Sequence, residues 1–251
     1  MPSIFITGAA SGIGRASAQR FAAEGWRLGL ADIDAETLSR VHAELASAQL
    51  QVYVVDVCDE QALAAALADF CAEEGLDVLL NNAEVALHGA LHEISLAAHR
   101  QLIEVNVLGL IHAAWLAYPH LCRRQGLLIN MSSTTAIFGT PQRASYSASK
   151  FAVRGLTEAL ANEWADDGVK VCDLMPPLSA ATDPETAEQS WAERLRLGPP
   201  DVLDIAEQVW QLTQERRLHN LVGLPFKLLS TLSGWLPDTA NRRIMQLLSR
   251  R

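Results

Sequence analysis

The 251-residue sequence predicts an α/β fold: a single doubly wound domain with a parallel sheet of about seven strands and helices on both faces. Two observations predict it. Short continuous apolar runs alternate along the chain with segments whose apolar residues recur at helical spacing. That is the pattern of strands buried on both faces and joined by crossover helices. No linker, internal repeat or low-complexity tract interrupts the alternation, so residues 1–251 read as one domain.

The first apolar run, 3–7, ends in a glycine-rich turn. Runs at 27–32, 51–57, 76–82, 126–132 and 169–175 follow, and 220–223 is a candidate for a short seventh strand. Between them, Asp34 is a good N-cap ahead of Leu38, Val41 and Leu45, and Asp59 precedes Leu63, Leu67 and Phe70. Two longer helical patterns cover about 96–124 and 145–167, the second stopped by Gly168. Right-handed crossovers of this kind make one Rossmann-type sheet.

Composition narrows the function. Hydrophobic residues make up 49% and charged residues 20%, enough for a core and too apolar for a disordered chain. The net charge of −9 repels phosphate backbones and argues against a nucleic-acid partner. Cys58, Cys71, Cys122 and Cys172 lie far apart with no C-x-x-C pair. That argues against structural zinc and a disulfide framework and suits a reducing cytoplasm, the expected location. Residues 1–6 lack the basic segment and long apolar core of a signal peptide, and no uncharged apolar run has the length of a membrane span. His88 and His92 are four apart, yet no third ligand accompanies them, so no metal site is expected.

The turn after the first run reads Thr7-Gly8-Ala9-Ala10-Ser11-Gly12-Ile13-Gly14. Three glycines stand where the chain turns tightly and brings bare backbone close to a ligand, and the following helix offers free N–H groups to a pyrophosphate. Asp32 closes the second run, placed to accept hydrogen bonds from ribose hydroxyls and to repel a 2′-phosphate; Arg15 is a nearby cation. Tyr146 and Lys150 lie four apart and share a helix face. A neighbouring ammonium lowers the pKa of a phenol, ordinarily about 10, toward useful acid–base chemistry. Ser133 ends a strand on the carboxyl side of the sheet, where a hydroxyl can hold a substrate carbonyl. Asn106 sits mid-helix and reads equally as a helix-to-strand brace or as the holder of a relay water.

With these residues in view, the sequence resembles the short-chain dehydrogenase/reductase family in its form of about 250 residues, up to about residue 223. The motifs that carry the resemblance are the Thr7–Gly14 turn, Asp56, Asn81-Asn82-Ala83, Asn106, Ser133 and Tyr146-Ser147-Ala148-Ser149-Lys150. The resemblance implies hydride transfer between a nicotinamide cofactor, NAD with NADP possible, and a secondary alcohol or ketone. It implies Tyr146 as general acid/base, Lys150 lowering its pKa and holding the nicotinamide ribose, Ser133 orienting the substrate oxygen and Asn106 holding a water. It implies a cofactor site of Gly8, Ser11, Gly12, Ile13, Gly14, Asp32, Asp56, Val57, Asn81, Asn82, Ala83 and Pro176 together with Tyr146 and Lys150. It also implies a homodimer or homotetramer built on the two long helices.

The chain departs from the family at three places. Asn-Asn-Ala-Gly becomes Asn81-Asn82-Ala83-Glu84, which puts a carboxylate near the cofactor phosphates. Coulomb repulsion is expected there unless a ribose hydroxyl or a cation such as protonated His88 offsets it. Pro-Gly becomes Pro176-Pro177, which removes an N–H from that turn. The end of the chain, 224–251, is leucine- and arginine-rich; packing on the domain or a subunit is favoured over a membrane-surface segment. Residues 178–200 stand where the family carries a substrate lid. Two alternatives accompany the main reading: an NADPH-dependent ketoreductase of a lipid-like acyl substrate, and a non-catalytic dinucleotide-binding sensor or scaffold. Glu84 speaks for the sensor and the complete Ser133, Tyr146 and Lys150 set against it.

Overall fold

The computed structural model describes residues 1–45, 49–72, 74–177 and 201–223. The expected lid and the tail at 224–251 therefore lie outside the described residues. Seven strands, β1 (Ser3–Thr7), β2 (Arg27–Asp32), β3 (Leu50–Val54), β4 (Val78–Asn81), β5 (Leu127–Met131), β6 (Lys170–Met175) and β7 (His219–Leu221), form one sheet. Their order is β3-β2-β1-β4-β5-β6-β7, and all neighbours are parallel. The chain moves outward from β1 to β3 and then returns to the far side of β1 as β4. The loops leaving β1 and β4 consequently diverge and open a crevice at the carboxyl ends of the strands.

Period-two alternation feeds both faces of the sheet. Ile4, Ile6, Val78, Leu80, Leu127 and Ile129 point to one side, where α1 (Gly12–Ala23), α2 (Ala35–Leu45) and α7 (Val202–Leu212) cover them. Phe5, Leu79 and Leu128 point to the other, under α3 (Glu60–Cys71), α5 (Leu110–Arg124) and α6 (Ala144–Glu163). Because helices bury both faces, the inner strands β1, β4 and β5 are buried throughout, which is why they read as unbroken apolar runs, whereas the edge strand β3 stays largely exposed. The caps form as the side chains dictate. Asp59 accepts from the backbone N–H groups of Gln61 and Ala62, and Asp34 accepts from the Thr37 N–H at 3.0 Å. Phe21 of α1 stacks edge-on against Trp26 and Trp210, with ring centroids 4.9 and 5.1 Å away, which pins α1 to α7. Each such pair contributes about 0.5–1.5 kcal/mol beyond its buried area, and together they fix the helix whose N-terminus faces the crevice.

Three sequence expectations are corrected here. The run at 51–57 ends as a strand at Val54; Val55 and Val57 stay apolar because they line the crevice. The seventh strand starts one residue early, at His219. The helix expected over 96–124 is interrupted: α4 (Leu96–Ile103) passes into a π-helical turn, Glu104–Gly109, before α5 begins. Taken whole, Leu96–Arg124 is also long and apolar enough by composition for a membrane span, though not free of charges. Its Leu102, Leu110, Ala113, Ala117 and Leu121 are buried within the fold.

Candidate active site

The turn after β1 is shaped by what glycine alone permits. Gly8 has φ +66°, and a Cβ there would stand 2.8 Å from Ala83 Cα. A Cβ on Gly14 would land 2.0 Å from the Gly8 carbonyl oxygen. The loop thus folds against its own helix and against the β4 loop with no room for a side chain. The β4 loop is tied on by hydrogen bonds: Asn82 Nδ2 donates to the Thr7 and Gly8 carbonyls at 3.2 and 2.9 Å. Thr7 Oγ1 accepts from the backbone N–H groups of Asn82 and Ala83 at 3.0 and 3.1 Å. Ser11 caps α1 by backbone conformation without a side-chain bond, so the first-turn N–H groups face the crevice.

Asp32 serves two purposes. One carboxylate oxygen accepts from Ala10 N–H at 2.8 Å and the other from Asp34 N–H at 3.0 Å, so it braces the glycine loop while facing the cleft. Arg15 pairs with Glu44 at 2.6 Å on the exposed surface, an arrangement that engages it away from a phosphate. The resulting cleft measures about 320 Å³ and includes Gly8, Ser11, Gly12, Ile13, Asp32, Asp56, Val57, Asn82, Ala83 and Glu84. Gly14 acts beneath it as a packing residue. Asn81 does not line it, contrary to expectation: its amide is buried and donates to the Leu110 carbonyl at 2.9 Å. Gln101 and Val105, which sequence reasoning missed, line it from the helix side.

A smaller recess of about 10 Å³, the room of one water, opens beside it between Ile13, Glu84, Ser133, Tyr146, Pro176 and Pro177. Tyr146 lines it from α6, with Lys150 one turn further along the helix, and each is only 2% exposed. Lys150 Nζ donates to the Met131 carbonyl at 2.9 Å. Its second partner is Glu84, whose Oε2 pairs with the ammonium and also accepts from the Tyr146 hydroxyl at 3.2 Å. Glu84 is thus paired with Lys150 and Tyr146, while His88 is exposed.

This overturns the expected lowering of the Tyr146 pKa. Burial pushes the phenol well above its ordinary value, and the charge and hydrogen bond of Glu84 push the same way. Arg143 and the Ser133 hydroxyl pull it down. Arg143, three residues before Tyr146 with its guanidinium 6.0 Å from the ring centroid, was legible only as helix spacing and went unread. Asn106 resolves as a brace. Its Oδ1 accepts from Val85 N–H at 2.8 Å, and its Nδ2 donates to the Val85 carbonyl at 2.9 Å and to Ser149 Oγ at 3.2 Å. Both amide protons are thereby spent on the residue next to Glu84 and on α6.

Comparison with known proteins bears on this arrangement. A sequence model of the short chain dehydrogenase family matches residues 2–193. The chain belongs to that family. It is 34% identical over 200 residues to meso-2,3-butanediol dehydrogenase of Serratia marcescens, covering 78% of this chain and 80% of that one. It is 43% identical over 175 residues to galactitol 2-dehydrogenase (L-tagatose-forming) of Cereibacter sphaeroides, covering 68% of each. A short chain dehydrogenase/reductase from Burkholderia phymatum, solved in complex with NAD, superposes with a TM-score of 0.82 at 27% identity over 93% of both chains. As a short-chain dehydrogenase, the protein is an NAD(P)-dependent oxidoreductase acting on CH–OH groups. The cleft fits such a cofactor: glycine backbone at Gly8 and Gly12, an α1 N-terminus without a side-chain cap bond and a carboxylate at the end of β2.

Proposed function

We propose that this short-chain dehydrogenase prefers NAD and interconverts a secondary alcohol of a small diol or polyol with its ketone, with Tyr146 as the proton-transferring group. The observation that carries this reading is the convergence of the Tyr146 and Ser133 hydroxyls at the end of the glycine-built cleft. Bound NAD(P) supplies the hydride acceptor or donor at the carbinol carbon. Tyr146 holds the transferred proton on its phenolic oxygen, and Ser133 orients the substrate oxygen toward it. Lys150 retains one ammonium proton beyond those used on Met131 and Glu84, available to a ribose hydroxyl. Gly8, Gly12 and the α1 N-terminus hold the pyrophosphate, and Asp32 holds the adenosine ribose. The diol or polyol class rests on what the two named relatives act on.

Initial rates with 2,3-butanediol, galactitol and simple secondary alcohols, each with NAD and NADP in parallel, test this. NAD reduction by a diol or polyol is expected, and turnover confined to NADP or to acyl substrates would overturn it.

The same reading extends to assembly and location. Leu108, Ile111 and Trp115 form a stripe at helical spacing on the outer face of the α4–α5 region, and Trp115 is 74% exposed. Exposed Phe151 adds an aromatic ring from α6. A homo-oligomer of closed symmetry covers such a stripe, and a monomer mass by light scattering at micromolar concentration would contradict it. Cys58, Cys71, Cys122 and Cys172 are all free thiols, which supports a cytoplasmic location that cell fractionation can check.

A further inference from the structure

Glu84 stands where the large cleft and the small recess meet, and it lines both. Its Oε2 touches the two groups of α6 on which the proposed chemistry depends, Tyr146 OH and Lys150 Nζ. Its backbone is held as well. Asn106, in the π-helical turn, takes both the N–H and the C=O of the next residue, Val85. Thr7 takes the N–H of the preceding one, Ala83. A carboxylate fixed on both sides and bonded to a buried ammonium is a built part of the site rather than a solvated loop residue.

We propose that Glu84 is the internal counter-ion of Lys150 and keeps Tyr146 protonated, so that the free enzyme is poised to donate a proton to a carbonyl and accepts one from an alcohol only at raised pH. The inference rests on the assignment of Tyr146 as the proton-transferring group. Lys150 stabilises a phenolate only to the extent that its charge is not already neutralised, and Glu84 neutralises it at contact distance. Among the described residues, the other charged groups facing the site are Arg143 ahead of α6, which favours the phenolate, and Asp32 and Asp56 on the far rim of the cleft, which do not. Burial of the ring acts in the same direction as Glu84. Glu84 acts through Tyr146 and is therefore a positioning residue.

The test is a titration that needs no cofactor and no turnover. Tyrosinate absorbance is followed against pH in the ligand-free wild type, in Glu84→Gln, Glu84→Gly and Glu84→Asp, with Tyr146→Phe as the blank. Tyr53 and Tyr118, the other two tyrosines, are pushed upward as well, by burial with Asp69 and by a hydrogen bond to Asp167 respectively, so the Tyr146 signal is read as the difference from the Tyr146→Phe blank. Removing the carboxylate charge is expected to move Tyr146 ionisation down by about 1–3 pH units, the range one adjacent charge commands. Asp is expected to restore most of the wild-type value. The alkaline shift of kcat for alcohol oxidation should move down in step. An unmoved Tyr146 titration in both Gln and Gly variants would overturn the role of Glu84 and leave the assignment of Tyr146 standing. A titration that moves while the kcat profile does not would overturn the bias in direction and count against Tyr146 itself.

Discussion

The two ends of the crevice are built from different materials. At the adenosine end, position is set by backbone: Gly8 and Gly14 pack so closely that a Cβ would collide with neighbouring main chain, and Asp32 and Asn82 tie the loops together through backbone groups. At the catalytic end, position is set by charged side chains: Lys150, Glu84 and Arg143 gather around one phenol. A backbone-built site resists change in charge but not in volume. A charge-built site keeps its shape through many substitutions while its proton affinity moves with each one. The family glycine replaced by Glu84 falls on the second end, which is why the departure retunes acid–base chemistry rather than closing the cofactor cleft.

That contrast can be broken most forcefully at Gly14. Gly14→Ala sets a Cβ 2.0 Å from the Gly8 carbonyl, so the loop or α1 must move. Overpacking of this kind costs about 1–3 kcal/mol. NAD affinity by calorimetry should fall by roughly 5- to 150-fold if that cost lands on the binding loop, while tyrosinate titration stays unchanged. Asp32→Ala comes next. It removes an acceptor of the Ala10 N–H as well as the charge, so NAD affinity should fall and the preference for NAD over NADP in kcat/KM should shrink by about tenfold, the worth of a hydrogen bond to a charged group. A wild-type preference for NADP would instead contradict the role given to Asp32. The smallest effect belongs to Glu84→Gly. It frees Lys150 and removes a partly solvated carboxylate, so NAD binding should tighten by less than about tenfold, as suits a screened charge. Weaker binding in calorimetry would make Glu84 a positive contact for the cofactor.

The contrast also decides what could be read from the residues alone. Backbone-built features leave local marks: the glycines of the β1 turn, the Asp34 and Asp59 caps and the apolar runs of β1 and β2 all appear at the expected positions. Tyr146 and Lys150 were legible because helical geometry joins residues four apart. The partner of Glu84 was not legible, because Tyr146 lies 62 residues away and only the folded sheet brings the β4 loop onto α6. The π-helical turn at Glu104–Gly109 escaped for another reason: apolar periodicity reports which face is buried, not how the backbone bonds itself. Asn81 and Asn82 are neighbours in sequence, yet pleating sends one into the core and the other to the loop, a division that the motif as a string of letters does not contain.

The central claim is that Tyr146 carries the proton in an NAD-dependent alcohol oxidation. Tyr146→Phe keeps the ring and removes only the hydroxyl, so it isolates that claim from the architecture around it. Turnover of the best alcohol substrate with NAD, measured at the wild-type optimum pH, is expected to fall by about 10²-fold or more, with NAD affinity nearly unchanged. Turnover within a few fold of wild type would contradict the account and move the proton transfer to another group.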